Sequence, residues 1–265
     1  MRFIQQNVLL LWSVFMMTAA GCVTTQNDMA TIVPVTLNIS ASVVMTDAIK
    51  ELDRLYSEAE PGCTFTTNFA SAGTIQQQIE NGAPCDVFIS AASIYMDNLQ
   101  KDGLILESTR KDLLNNKIVL VVPIDSKLSI TSFGDLTGAA LKNIAIGDPK
   151  SVSAGTYAQQ VFDLLGITTS LQPKLVLASD VRQVLTYVET GNVDAGIVFS
   201  TDALTSAKVK VVASAPAEIN AKIVYPVAII KSSKNVDAAM SYINFLFSAQ
   251  AKAVFEKFGF TLAAK

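Results

Sequence analysis

The chain has 265 residues, of which 50% are hydrophobic and 16% charged, so we expect a well-buried protein of one large domain or two smaller ones. Its net charge of −3, without a basic run, argues against nucleic-acid binding. The sequence contains no histidine, and its three cysteines lack Cys-x-x-Cys spacing. Ser-His and Cys-His catalysis is therefore excluded, and a zinc site is not expected.

Residues 1–21 have the pattern of a lipoprotein signal peptide. Arg2 and a short polar patch precede an apolar run over 8–20, which is too short to span a bilayer comfortably. Small residues then precede Cys22, as at a bacterial lipoprotein processing site. We expect lipidation of Cys22 and a flexible tether over 22–35, and secretory cleavage that discards Cys22 is the alternative.

Export would place the two remaining cysteines, Cys63 and Cys85, in an oxidising compartment. A disulfide between them would close a loop of about twenty residues and stabilise the fold by ~3 kcal/mol. Two separately buried thiols are the alternative, because sequence spacing does not reveal whether the Cα atoms approach each other.

Strands and helices alternate after the tether, which is typical of a parallel sheet with crossover helices. The predicted strands begin at Leu37 and continue with 64–69, 86–90, 117–122, 143–146, 174–177, 195–199, 209–212 and 223–230. The predicted helices begin after Ser42, near residues 75, 94, 153, 181 and 201, and twice more before the C-terminus. No segment after the signal peptide is long and apolar enough to be a transmembrane helix.

Three strand-to-helix corners are suited to binding an anion. The first carries Ser40 and Ser42 where the N–H groups of a helix start lack partners, although Ser42 could simply cap the helix. Ser-Ala-Gly-Thr occurs at 71–74 and at 153–156, within octapeptides that share six of eight residues. Two copies of one corner suggest two similar lobes facing a common ligand, and the alternative is favourable turn chemistry that arises twice.

Eight short motifs follow one another over about 36–261. They are Ser40-Ala41-Ser42, Phe69-Ala70-Ser71-Ala72-Gly73-Thr74, the segment 82–91, Gly147-Asp148-Pro149, Ala154-Gly155, Asp180-Val181-Arg182, Gly196-Ile197-Val198 and Tyr225-Pro226-Val227-Ala228. In this order and spacing, the chain resembles the periplasmic molybdate-binding proteins, which are the substrate-binding components of molybdate ABC transporters.

The resemblance implies an α/β fold of the type II periplasmic-binding-protein class. Two lobes, each with a parallel or mixed sheet and flanking helices, would be joined by two crossing strands near Val119 and Val224. The first lobe would comprise 36–120 and 226–265, and the second 121–225. The lobes would close on the ligand like a hinge.

The resemblance also implies a function without catalysis. The protein would be exported, lipid-anchored and monomeric, and it would carry molybdate or tungstate to an ABC permease in the membrane. It would need no cofactor and no metal cation, since molybdenum or tungsten is bound as an oxyanion. It would not bind nucleic acid.

Family correspondence implies a binding site made of neutral hydrogen-bond donors. Ser42 would offer its hydroxyl and N–H, whereas Ala154 and Val181 would offer backbone N–H groups at helix starts. Two positions depart from the family: Ala72 replaces a serine, and Phe199 replaces a cleft tyrosine. A water or a neighbouring hydroxyl could compensate, and the candidates are Ser71, Thr74, Ser153 and Thr156.

Three other functions are compatible with the sequence. The ligand could be another tetrahedral oxyanion or small anionic solute. A two-lobed enzyme with a carboxylate or lysine catalyst is a second alternative, although no clustered acid/base pair supports it. A ligand-sensing protein that signals to a membrane partner is the third.

Overall fold

The computed structural model describes residues 34–263, so the predicted signal peptide and Cys22 lie outside the described residues. The strands are β1 Val35–Ser42, β2 Cys63–Ala70, β3 Val87–Ile89, β4 Lys111–Asn115, β5 Ile118–Pro123, β6 Ile144–Gly147, β7 Leu175–Ala178, β8 Ala195–Phe199, β9 Val209–Ser214, β10 Val224–Ile229 and β11 Thr261–Leu262. The helices are α1 Thr46–Ala59, α2 Ala72–Glu80, α3 Ser93–Lys101, α4 Ser153–Leu164, α5 Thr168–Leu171, α6 Val181–Glu189, α7 Ser200–Ala203, α8 Ala217–Asn220, α9 Val236–Leu246 and α10 Ala249–Lys257. Among these described helices, none is long and apolar enough to cross a membrane.

The strands form two mixed sheets with the same internal order. The six-stranded sheet runs β11-β4-β10-β3-β1-β2 and the five-stranded sheet runs β7-β6-β8-β5-β9. In the first sheet β1 lies between its parallel neighbours β2 and β3, and β10 is antiparallel to β3. In the second sheet β6 lies between its parallel neighbours β7 and β8, and β5 is antiparallel to β8. The two halves therefore repeat one topology.

Continuous apolar runs produce the central strands. All five residues of β8 are buried, as is most of β5, because helices and loops cover both faces of the sheet. Gly196 in β8 lets α6 pack directly on the sheet, since a Cβ there would lie 2.5 Å from Cγ2 of Val188. Burial on both faces explains why these strands were predicted within two residues of their observed ends.

Several predicted boundaries are wrong by a few residues. Val35 belongs to β1 and not to the tether. The helix predicted directly after Ser42 begins at Thr46, following a 3₁₀ turn at Val43–Met45. Residues 118–120, assigned to the first lobe, lie in β5 and therefore in the five-stranded sheet, whereas Val224 and Tyr225 lie in the six-stranded sheet.

The chain crosses between the sheets twice, between β4 and β5 and between β9 and β10. Asn116 lies at the first crossing, where its Nδ2 donates to Thr201 Oγ1 and to Tyr225 OH, both at 2.9 Å. Its Oδ1 accepts from Lys117 N at 2.8 Å and from Ser200 Oγ at 2.9 Å. This one buried amide therefore ties both crossings together.

The predicted Cys63–Cys85 disulfide is absent, and both cysteines are free and buried. Cys63 begins β2 and Cys85 precedes β3, and these strands flank β1 on opposite sides. Two strand spacings separate them by about 10 Å, which is more than a disulfide can span. Burial raises the pKa of the Cys85 thiol to about 12, so that thiol is protonated at neutral pH.

The two Ser-Ala-Gly-Thr segments do not occupy equivalent corners. The second segment follows β6, whose equivalent in the other sheet is β1, while the first segment follows β2, the equivalent of β7. The second segment therefore lies at the corner equivalent to the one that holds Ser42, and the first lies at the corner equivalent to the one that holds Asp180. The halves do resemble each other, but the shared tetrapeptide is favourable turn chemistry that arises twice.

Candidate functional site

A small cavity lies between the two sheets, outside the carboxyl ends of their parallel strands, which is where open α/β sheets commonly bind ligands. The centre of a water molecule could move through a volume of ≈ 10 Å³ inside the cavity. With the radius of the water itself added, the cavity has the size of a sphere about 2.7 Å in radius. This size suits a small inorganic ion and is too small for a sugar. The lining residues are Ser42, Val43, Val44, Ser71, Ala72, Ala91, Val152, Ser153, Ala154, Val181 and Phe199.

The lining includes all six positions that the resemblance nominated as the oxyanion site. Ser42, Ser71 and Ala72 come from the half with the six-stranded sheet, and Ala154, Val181 and Phe199 come from the other half. In sequence these positions are up to 157 residues apart. The fold therefore brings them together, although their contacts with a ligand stay a prediction.

Ser42 ends β1 and does not cap a helix. Its Oγ accepts a hydrogen bond from Ala91 N at 2.9 Å, and that bond connects β1 to the end of β3. The hydroxyl proton takes no part in this bond. It remains available for an acceptor in the cavity.

Three helices begin at the cavity. Ala72 is the first residue of α2, Ala154 the second of α4, and Val181 the first of α6. The N–H groups of a first helical turn lack intrahelical acceptors, and the helix dipole makes this end positive. At α6, Asp180 caps the helix, and its Oδ1 accepts from Gln183 N at 2.9 Å. At these three apolar positions, the backbone N–H is the group that could reach a ligand.

Phe199 closes one side of the cavity with an apolar ring. It is 1% exposed and packs edge-to-face against Tyr157 and Tyr225, with ring centroids 6.3 and 5.5 Å apart. The ring is thus both a packed core residue and part of the cavity lining. It offers no hydrogen-bond donor.

No charged side chain belongs to the lining, but an ion-pair network lies next to it. Arg182 follows Val181, and its Nη2 lies 2.8 Å from Oδ2 of Asp47 in α1, across the two halves. Its Nε lies 3.3 Å from Oδ1 of the fully buried Asp202, close enough for an ion pair but not aligned for a hydrogen bond. Burial raises the pKa of Asp202 to about 7, although the Arg182 charge opposes that shift.

Sequence reasoning did not identify this network. The Asp180-Val181-Arg182 motif contains Arg182, but the sequence does not indicate which carboxylates it pairs with. Asp202 follows the strand β8 by three residues, in a position where its burial could not be foreseen. Its polar neighbours Ser200 and Thr201 give no local signal of that burial.

Two further polar contacts join the halves beside the cavity. Gly73 N donates to Ser151 O at 2.9 Å, and Tyr95 OH lies 3.1 Å from Thr156 Oγ1. A Cβ on Gly73 would lie 2.7 Å from the Ser151 Cα, so glycine is needed for this approach. The small residues of this corner therefore allow backbone-to-backbone contact between the halves.

The geometry is that of an anion receptor. Neutral hydroxyls and helix starts surround a buried space, and no carboxylate or lysine lines it for acid/base chemistry. Within residues 34–263, no group of three or more His, Cys, Asp or Glu side chains could hold a metal ion. The site is thus arranged to bind a small anion.

Comparison with known proteins agrees with this geometry. The fold is that of a type II periplasmic binding protein, a class of two-sheet solute receptors. Residues 37–261 match the family described as bacterial extracellular solute-binding protein, and the chain belongs to that family. The resemblance inferred from the motifs is confirmed, and so is the prediction that the chain is not an enzyme.

Individual relatives cover nearly the whole chain. The putative ABC transporter substrate-binding lipoprotein YvgL of Bacillus subtilis is 42% identical over 91% of this chain and 92% of its own. The molybdate-binding protein ModA of Escherichia coli is 37% identical over 85% and 89% of the two chains. A solved substrate-binding domain of a putative molybdenum ABC transporter from Clostridium difficile is 40% identical, with a TM-score of 0.68 over 86% of this chain and 99% of that one.

Proposed function

We propose that this protein captures molybdate, or the similar tungstate ion, in the cavity and delivers it to an ABC permease. One observation carries the proposal: six positions nominated by correspondence with molybdate-binding proteins line a single buried space of ionic size. The names of the relatives from Escherichia coli and Clostridium difficile support the same ligand.

The chemistry of the lining favours a fully deprotonated anion. Molybdate carries two negative charges and no proton at neutral pH, so it accepts hydrogen bonds only. Helix-start N–H groups match that requirement, and each charge-assisted bond is worth about 1.5–3 kcal/mol. Protonated phosphate would bring an O–H group that needs an acceptor in the site. Sulfate would be distinguished by its shorter bonds and smaller volume.

Delivery would depend on closure of the two halves over the ion. The chain crosses between the sheets twice near Asn116, and the ion pair from Arg182 to Asp47 joins the halves on the cavity side. A hinge at the crossings would open and close that pair. We infer that the protein acts as a monomer, because each chain supplies both sides of its own cavity.

Anchoring through Cys22 is part of the proposal. The residues around Cys22 match a lipoprotein processing site, and the Bacillus subtilis relative is named as a lipoprotein. The N-terminal peptide of the protein purified from membranes should carry the mass of a lipid on Cys22. A Cys22→Ser variant that still fractionates with the membrane would refute the anchor.

Calorimetric titration of the purified protein with molybdate, tungstate, sulfate and phosphate tests the ligand. We expect tight binding of molybdate and tungstate, with at least about a hundredfold weaker binding of phosphate, from the loss of one or two charge-assisted bonds. Binding of sulfate alone would show that the site serves a different tetrahedral oxyanion. Binding of none of the four would refute the proposed function.

A further inference from the structure

The side chain of Ser153 is the unusual polar group of the cavity lining. Ser153 is the first residue of α4 and is 4% exposed. Within the described part of the chain, its Oγ has no hydrogen-bond partner. A buried hydroxyl without a partner is unfavourable, so its place in the lining calls for an explanation.

The other hydroxyls considered as compensating donors are engaged within the protein. Ser71 Oγ and Thr74 Oγ1 lie 2.7 Å apart and bond to each other. Thr156 Oγ1 donates to Pro149 O at 3.0 Å and also lies near Tyr95 OH. Only Ser153, of the four, has its hydroxyl proton and both lone pairs uncommitted.

Helix capping does not account for Ser153. The residue before α4 is Val152, whose side chain cannot cap, and Thr156 N donates to the Val152 carbonyl at 3.0 Å. A serine that does cap is Ser248, whose Oγ accepts from Ala251 N at 3.1 Å at the start of α10. The two serines therefore stand at helix starts in different roles.

We propose that Ser153 donates its hydroxyl hydrogen to the bound oxyanion. This inference rests on the proposed function and deepens it by adding one side-chain donor on the α4 side of the cavity. Ser153 lies next to Ala154, whose N–H group is at the same helix start. The contact would compensate for the hydroxyls that Ala72 and Phe199 do not provide.

The test compares wild-type protein with Ser153→Ala and Ser248→Ala by titration with sodium molybdate and by scanning calorimetry without ligand. Ser153→Ala should weaken binding about tenfold to a hundredfold, as expected for one charge-assisted bond. Its ligand-free Tm should equal or exceed that of the wild type, because an unpaired buried hydroxyl is removed. Ser248→Ala should lower the ligand-free Tm and leave the Kd unchanged.

A Ser153→Ala variant that binds molybdate within twofold of the wild type would overturn the inference and leave the proposed function standing. So would a marked fall in its ligand-free Tm, which would indicate a structural role for the hydroxyl. If the wild-type protein binds neither molybdate nor tungstate, the proposed function and this inference fall together.

Discussion

Substitution of Gly73 by alanine tests whether the halves press together over the ligand. A Cβ at this position would lie 2.7 Å from the Cα and 2.8 Å from the O of Ser151, in the opposite half. Ordinary carbon contacts need roughly 3.5–4 Å, so the facing backbones must separate by about 1 Å. That shift breaks the bond from Gly73 N to Ser151 O as well.

Most of the cost of Gly73→Ala should fall on the closed, ligand-bound arrangement. The third close neighbour of the new Cβ, Tyr95 Cε1 at 2.9 Å, belongs to the same half as Gly73 and is the edge of a side-chain ring, which can shift more easily than backbone. Overpacking typically costs about 1–3 kcal/mol, so affinity for molybdate should fall roughly tenfold to a hundredfold. In the open protein the new methyl group meets no opposing backbone, and alanine favours the helix α2 over glycine. These gains are opposed by the displacement of the Tyr95 ring, so the ligand-free Tm should change little.

Gly155 is the matched control, because it occupies the same place in the other Ser-Ala-Gly-Thr segment. A Cβ there would lie 2.0 Å from the Gly147 carbonyl oxygen, which belongs to the same half. Gly155→Ala should thus destabilise the ligand-free protein by about 3 kcal/mol or more and lower its Tm by roughly 10 °C.

Titration calorimetry with molybdate gives the affinity of both variants, and scanning calorimetry gives their stability. If Gly73→Ala binds molybdate as tightly as the wild type, the two backbones are not in contact in the bound state. The reasoning would then be wrong, whatever the stability of the variant.

Three more predictions concern the same cavity. Ser42→Ala should weaken molybdate binding at least about tenfold, because the ion loses a donor. The same change should lower the ligand-free Tm, because Ala91 N loses its acceptor. An unchanged affinity in titration calorimetry would remove Ser42 from the site. Solution scattering should show a smaller radius of gyration with molybdate than without it, and identical curves would refute hinge closure. The folded protein holds the Asp202 proton more tightly than the unfolded chain does, since the pKa rises from an ordinary value of 3.8 to about 7. The contribution of this carboxyl to the free energy of unfolding is thus complete below about pH 4 and is lost as the pH rises through about 7. In Asp202→Asn, the free energy of unfolding measured by chemical denaturation should therefore vary less with pH over that range.

The regular parts of the fold could be read from the sequence because local patterns determine them. β8 is a run of buried apolar residues, and Asp180 caps α6 as its position suggests. β4 was missed because its sequence, Lys-Asp-Leu-Leu-Asn, has charged residues and no β-branched side chain; it is a strand because β10 pairs with it. The sequence leaves the pairing of Cys63 and Cys85 open for a similar reason, since spacing along the chain does not reveal that β1 lies between them.

The candidate site was harder to derive from residue chemistry alone. Ala154 and Val181 carry no functional side chain, and the contribution predicted for them is a backbone N–H that any residue could supply. Only correspondence with a known family could nominate them. Conversely, the unpaired hydroxyl of Ser153 and the burial of Asp202 depend on long-range packing that no local pattern encodes.

The strand order has a consequence for how the protein is made. All five strands of the second sheet come from one continuous stretch, 118–214, so this half can assemble as soon as that stretch has left the ribosome or crossed the membrane. The first sheet must wait, because β10 pairs with both β3 and β4, and β11 pairs with β4. A chain that ends before residue 224 would expose the unpaired edge of β3, a template for aggregation. Nearly the whole chain must therefore be made before the first sheet can pair all its strands.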